Sequence, residues 1–136
     1  MTRKLAKAVA ASEANRTALL RAPERIAKAA ISHLTIGGVL HERCGGTGCG
    51  NSTSGADGSY KGIFVQDLKV LAVTARTSQF SSFFRKQARS IEAHDTNRHH
   101  QFGLLWAGPV IDPNPGTQAS AEDALVAVLK RSHGRF

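Results

Sequence analysis

His41, Cys44 and Cys49 form the most specific local motif of the sequence, in the run HERCGGTGC at residues 41–49. Two ligands separated by two residues can grip one zinc ion, and glycines after the second let backbone amides turn toward a thiolate. His41 and Cys44 have that separation, and Gly46 and Gly48 follow at alternate positions. Tetrahedral zinc takes four ligands, so Cys49 is the third candidate. His99 is the fourth, with His94 and His100 as the other suppliers. A site completed in this way would pin a glycine-rich loop to a basic stretch far along the chain, and its binding energy would be folding energy.

The same loop carries a second pattern. Residues 45–52, GGTGCGNS, follow the phosphate-loop spacing, but Asn51 stands where lysine would supply the charge on the transferred phosphate. That leaves an amide cradle for an anion and argues against a nucleotide hydrolase. His94, Asp95, His99 and His100 cluster without a Gly-x-Ser-x-Gly elbow, so the cluster reads as a polar helix exit rather than a hydrolytic base. Ten Asp and Glu, with no close pair in a pocket-forming context, give little support to glycosidase or two-metal chemistry.

Residues 41–48, His-x-x-Cys-Gly-Gly-Thr-Gly, resemble the zinc-knuckle segment of lambdoid-phage late-gene transcription antiterminators, with histidine in place of the first cysteine. They also resemble the knuckle of DnaJ-type co-chaperones, whose repeated motifs this sequence lacks. The antiterminator resemblance implies a small cytoplasmic protein that loads onto promoter-proximal DNA and RNA polymerase.

Charge points toward a polyanion independently of any motif. Eighteen Lys and Arg oppose ten acids, for a net charge of +8 and a pI near 10.2. Residues 1–33 carry a local +5 and residues 69–100 a local +4, whereas 41–67 are at −1 and 112–136 balance. Two basic blocks around a neutral middle suit a phosphate-binding surface. The candidate contacts are Arg76, Arg85, Lys86, Arg89 and Arg98 from one block, and Arg21, Arg25 and Lys28 from the other. Arg3, Lys4, Lys7 and Arg16 belong to that second block as well. Phe80, Phe83 and Phe84 fit a helix core better than a base-stacking platform.

The elements that must position these residues read as mainly helical. Residues 3–21 are Ala-rich, with Ser12 and Asn15 as points where a helix would break or restart. Pro23 marks the first turn of a second helix reaching Leu34, stopped by Gly37 and Gly38. Residues 41–62 hold seven glycines and read as a loop or short hairpin, closed by a strand at Tyr60–Val65. Asp67 can cap a long central helix running to Ala93, with His33 as a boundary histidine of the preceding one. Phe102–Ile111 suits a strand, DPNPG at 112–116 a turn, and Ser120 with Asp123 the capping box of a last helix.

The expectation is a mainly α, small helical domain spanning 1–136. It divides into basic N-terminal helices (1–38), a Gly-rich knuckle or hairpin that zinc would pin (39–65), and a helical core (66–136). No apolar run approaches the roughly 18 residues of a membrane span. Two neighbouring cysteines suit a reducing compartment, and Leu5–Ala14 is too alanine-rich for a signal core, so the expected location is the cytoplasm. The expected function is non-enzymatic association with nucleic acid, as a small transcription regulator beside DNA and RNA polymerase. Two alternatives differ in class. One is an assembly or adaptor protein that docks on an acidic partner in a virion or ribonucleoprotein, with an apolar patch on 102–111. The other is a small enzyme that takes a phosphorylated substrate at the 44–52 loop.

Overall fold

The computed structural model describes residues 2–41 and 56–129. In chain order its elements are α1 (Arg3–Leu34), β1 (Thr35–Ile36), β2 (Val39–Leu40), one 3₁₀ turn (Ala56–Ser59), α2 (Tyr60–Thr74), α3 (Ser81–His94) and α4 (Pro115–Ala127). The architecture is mainly α with one short antiparallel hairpin, as the sequence led us to expect. Several of its parts lie elsewhere than expected.

The N-terminal block is one helix of 32 residues rather than two. Thr2 caps it, its hydroxyl accepting from the Leu5 N–H at 3.3 Å. Ser12 and Asn15 pass through without a break, and Pro23 sits inside the helix. Proline removes one intrahelical bond. On one side of it, Arg16 donates to the Thr74 carbonyl at 2.8 Å; on the other, Ala27 is buried and Ile31 packs against the core. Both flanks are thus anchored to the same body.

Gly37 and Gly38 do adopt the left-handed conformation, at φ +59° and +81°, but they do not cap α1. They form the two-residue turn of the β1–β2 hairpin, with Thr35 opposite Leu40 and Ile36 opposite Val39. Two successive positive φ values are what such a tight turn needs to match strand twist. Gln87 of α3 completes the hairpin: its side-chain oxygen accepts from the Leu40 N–H, and its amide donates to the Gly38 carbonyl, both at 2.8 Å.

Tyr60–Val65 is the first part of α2, not a strand, and Asp67 lies in mid-helix rather than at a cap. A short apolar run bounded by glycine does not distinguish strand from buried helix by periodicity. Position 62 shows which one tertiary packing favours. A Cβ there would lie 2.5 Å from the Ser120 Cα, so glycine lets α2 and α4 cross at backbone contact, and the Gly62 N–H donates to Ser120 Oγ at 2.8 Å. The expected long central helix is two: α2 ends at Thr74, Arg76 takes φ +52°, and α3 starts at Ser81.

Phe102–Ile111 forms no strand beyond a single bridge between Thr96 and Phe102. It is an irregular strap with Leu104 and Trp106 buried beneath it. The last helix starts earlier than expected, because Asn114 and Thr117 cap each other and Pro115 occupies the first turn. Ser120, the expected cap, is instead buried against Gly62. Val65, Leu68, Ala72, Phe80, Phe83, Phe84, Ile91, Trp106, Ala121, Ala124 and Ala127 make the common core of α2, α3, α4 and the strap. The three phenylalanines are therefore core residues, as expected, and His33 is exposed.

Candidate nucleic-acid interface

An α-helix advances about 100° per residue, so the phase of each side chain of α1 follows from its number. Arg3, Lys7, Arg21, Arg25 and Lys28 fall within about 60° of one another around the axis. All five are exposed. The side of the helix that meets the body, marked by Leu20, Ala27 and Ile31, is centred about 120° away. Both acids of α1, Glu13 and Glu24, are half-buried and lie nearer that inward side.

Arg16 does not join the stripe. Its guanidinium grips Glu13 at 2.6 Å and the Thr74 carbonyl at 2.8 Å, which ties α1 to the end of α2. Hydrogen bonding and charge from Arg16 hold the Glu13 carboxyl below its usual range, and Arg76 adds to this from 3.6 Å. Arg76, expected on the phosphate surface, is thus turned toward an acid of its own chain.

The other expected contacts divide into two places. Arg85, Lys86 and Arg89 are exposed on α3, with Arg85 and Arg89 one turn apart. The Lys86 stem runs beside the hairpin turn, its Cε within 3.5 Å of where a Cβ on Gly38 would sit. Arg98 lies apart from them in the turn after α3, where its Nε donates to His99 Nε2 at 3.1 Å.

Of the four zinc candidates, Cys44 and Cys49 lie outside the described residues. His41 is exposed at the end of β2, its N–H donating to the Leu34 carbonyl at 2.9 Å. His99 is exposed, and with Nε2 accepting from Arg98 its Nδ1 is the nitrogen left for a metal. The donor types suit zinc. Among the described residues no three His, Cys, Asp or Glu side chains come together around one point.

Among the described residues, the two most deeply enclosed ionisable side chains are ones that sequence reasoning did not single out as a pair. Lys61 of α2 is buried, its ammonium donating to the Leu104 carbonyl at 2.7 Å and lying 5.1 Å from the centre of the Trp106 ring. Asp95, at the end of α3, is fully buried; one oxygen accepts from the Gly103 N–H at 3.0 Å, and the other has no hydrogen-bond partner among the described residues. Burial pushes the Asp95 carboxyl up to about 7, against the Gly103 hydrogen bond and the Lys61 charge, which both pull it down. Ser90 donates to the Trp106 carbonyl at 2.8 Å beside them. These groups hold the strap down. The recess next to the strap, lined by His41, Leu104 and Trp106 among others, measures about 30 Å³, room for a water molecule or so.

In the 102–111 segment, where an adaptor reading expected an apolar patch, Leu104 and Trp106 are buried, Phe102, Leu105 and Val110 are half-buried and Ile111 is exposed. The loop at 44–52, on which the enzyme reading depends, lies outside the described residues. No helix among the described residues is long and apolar enough to cross a membrane. No protein-family model matches the chain, and comparison with curated proteins and with solved structures finds no match either.

Arg3 and Lys7 are the site residues that spacing left out of the main set. A break expected at Ser12–Asn15 put them on a separate helix of unknown phase. The signal was the helical phase that Arg3 and Lys7 share with Arg21, Arg25 and Lys28 if residues 3–28 form one helix. Lys61 and Asp95 left no comparable signal, because nothing local marks a charge for burial.

Proposed function

We propose that this chain is a non-enzymatic, nucleic-acid-associated protein that binds phosphate backbones, and that it serves as a small transcription regulator acting beside DNA and RNA polymerase in the cytoplasm. The observation that carries the reading is the outward stripe of α1, in which five exposed cations share one face with no acid among them. Each cation that replaces a condensed counterion at a phosphate contributes affinity that added salt removes. Arg85, Lys86 and Arg89 on α3 supply a second exposed cluster of the same kind. The antiterminator-like spacing at 41–48 supports the transcriptional part of the reading and the assignment of zinc to His41, Cys44, Cys49 and His99.

Fluorescence anisotropy with random-sequence duplex and single strands, titrated with salt, tests the phosphate reading. The expected result is binding at low salt that falls linearly on a log–log plot, with a slope near −0.9 per phosphate contact on duplex. Absence of binding at low salt would refute it. Native mass spectrometry of wild type and Cys44→Ser tests the metal separately. One zinc per chain, lost in the variant, is expected; a metal-free wild type removes the zinc assignment.

A further inference from the structure

The basic stripe of α1 is two clusters, not one. Arg3 and Lys7 stand at one end and Arg21, Arg25 and Lys28 at the other. Between them the same arc carries Ala10 and Ala14, with Ala18 at its margin, all exposed. At 1.5 Å per residue the clusters are separated by about 21 Å from Lys7 to Arg21, and the whole stripe covers about 37 Å. A groove between two phosphate walls suits this distribution. A straight helix follows the curved floor of the DNA major groove only over its middle turns, while its ends rise past the phosphates. Small residues are then needed in the middle and cations at both ends.

The alternatives fit less well. An A-form RNA duplex has a major groove too deep and narrow to admit a helix. Single strands are usually held by aromatic side chains stacking on splayed bases, and α1 has no aromatic residue. Of the other aromatics among the described residues, Phe80, Phe83, Phe84 and Trp106 are buried, Phe64 and Phe102 are half-buried, and Tyr60 alone is exposed. The body meets α1 about 120° around its axis from the stripe, and residues 3–12 are exposed all round.

We infer that α1 docks lengthwise in the major groove of B-form DNA, with Ala10, Ala14 and Ala18 toward the groove floor and the two basic clusters on the flanking phosphates. This rests on the phosphate-binding reading above and narrows its partner to double-helical DNA. With no Asn, Gln or Arg at the middle of the arc to read base edges, the docking is tolerant of sequence.

The full chain would be titrated by anisotropy against a DNA duplex of about 20 base pairs, the RNA duplex of the same sequence and one DNA strand of it, at one low salt concentration. Expected is a preference for the DNA duplex of about tenfold or more over both others. The double variant Ala10→Leu/Ala14→Leu, which keeps good helix formers at exposed positions, should lose about tenfold on the DNA duplex and little on the single strand. Circular dichroism and light scattering would establish that this variant is folded and monodisperse. Dimethyl sulfate footprinting of wild type gives a readout free of any variant: groove docking protects guanine N7, which faces the major groove. Equal affinity for the three nucleic acids, or unprotected N7 in a saturated complex, overturns groove docking and leaves the phosphate reading intact. Failure to bind any of the three overturns both.

Discussion

The outward face of α1 and the buried floor beneath the 102–111 strap use the same residue types for opposite purposes. On α1 the cations stand in water, where holding a charge costs little and a partner phosphate can displace counterions. Under the strap, Lys61 and Asp95 have lost their water and are kept by the Leu104 carbonyl, the Trp106 ring and the Gly103 N–H. A buried ionisable group is held only where other groups replace its hydration, so these two fix the chain's path rather than meet a partner. Between the extremes, Arg16 and Arg76 are half-committed through Glu13.

Substitutions at the two regions should therefore separate cleanly. The largest effect expected is on folding: Lys61→Met keeps the length of the side chain but leaves the Leu104 carbonyl without its charged donor and removes the Trp106 contact, which should cost about 3–5 kcal/mol in denaturant unfolding. The reverse pattern, a mild loss of stability with loss of DNA affinity, would assign Lys61 to the surface class and break the distinction.

Next in size is Gln87→Leu. It leaves the Leu40 N–H and the Gly38 carbonyl without their side-chain partner, at a cost of about 2–4 kcal/mol. Hydrogen exchange at Leu40 should speed up most, because that amide loses its acceptor directly.

Asp95 gives a pH test of the buried region. Its folded-state pKa of about 7 lies above the ordinary carboxylate value near 4. Between these values the folded chain retains a proton that the unfolded chain releases, so the contribution of Asp95 to stability is full below about pH 4 and is lost as pH rises toward 7. The expected fall is on the order of 2 kcal/mol after allowance for screening. Asp95→Asn can still accept from Gly103 but cannot titrate, and its stability should vary less over this window. Parallel pH curves for the two chains would mean that Asp95 is ionised when folded.

The smallest effect expected is at the border between the regions. Arg76→Ala removes an exposed ion pair with Glu13, and thermal unfolding should register less than about 1 kcal/mol. DNA affinity should also change less than it does for Arg25→Ala, since Arg76 is directed at Glu13 and Arg25 at solvent. Equal losses from the two would extend the phosphate-binding surface around the end of α2.

Much of this division was legible in advance, and the failures have identifiable causes. Alanine content and the apolar period gave the helical state of residues 3–34, though as two helices, and Phe80, Phe84, Ala88 and Ile91 gave the buried side of α3, though within one longer helix. Arg21, Arg25 and Lys28 were recognisable as one face from their spacing of four and three. The misplacements fell where a distant contact overrode a local preference. Pro23 reads as a helix start until both of its flanks are anchored to α2 and the core. Tyr60–Val65 reads as a strand until Gly62 is set against Ser120. The strap reads as a strand until Lys61, Ser90 and Asp95 take up its backbone groups.

The sequence by itself determined the helical class, the sign and periodic placement of the surface charge, and the left-handed conformation of Gly37 and Gly38, though it read that pair as a helix stop rather than a hairpin turn. Each depends on neighbours within about one helical turn or one tight turn, where local sterics and helix phase decide the outcome. Only the tertiary structure decided which charges would be buried, which arginines would be spent on Glu13, and where Gln87 would replace a missing strand partner. Those outcomes depend on contacts between residues far apart in the chain, among them Lys61 with Leu104 and Gln87 with Leu40, and the desolvation they entail has no local signature.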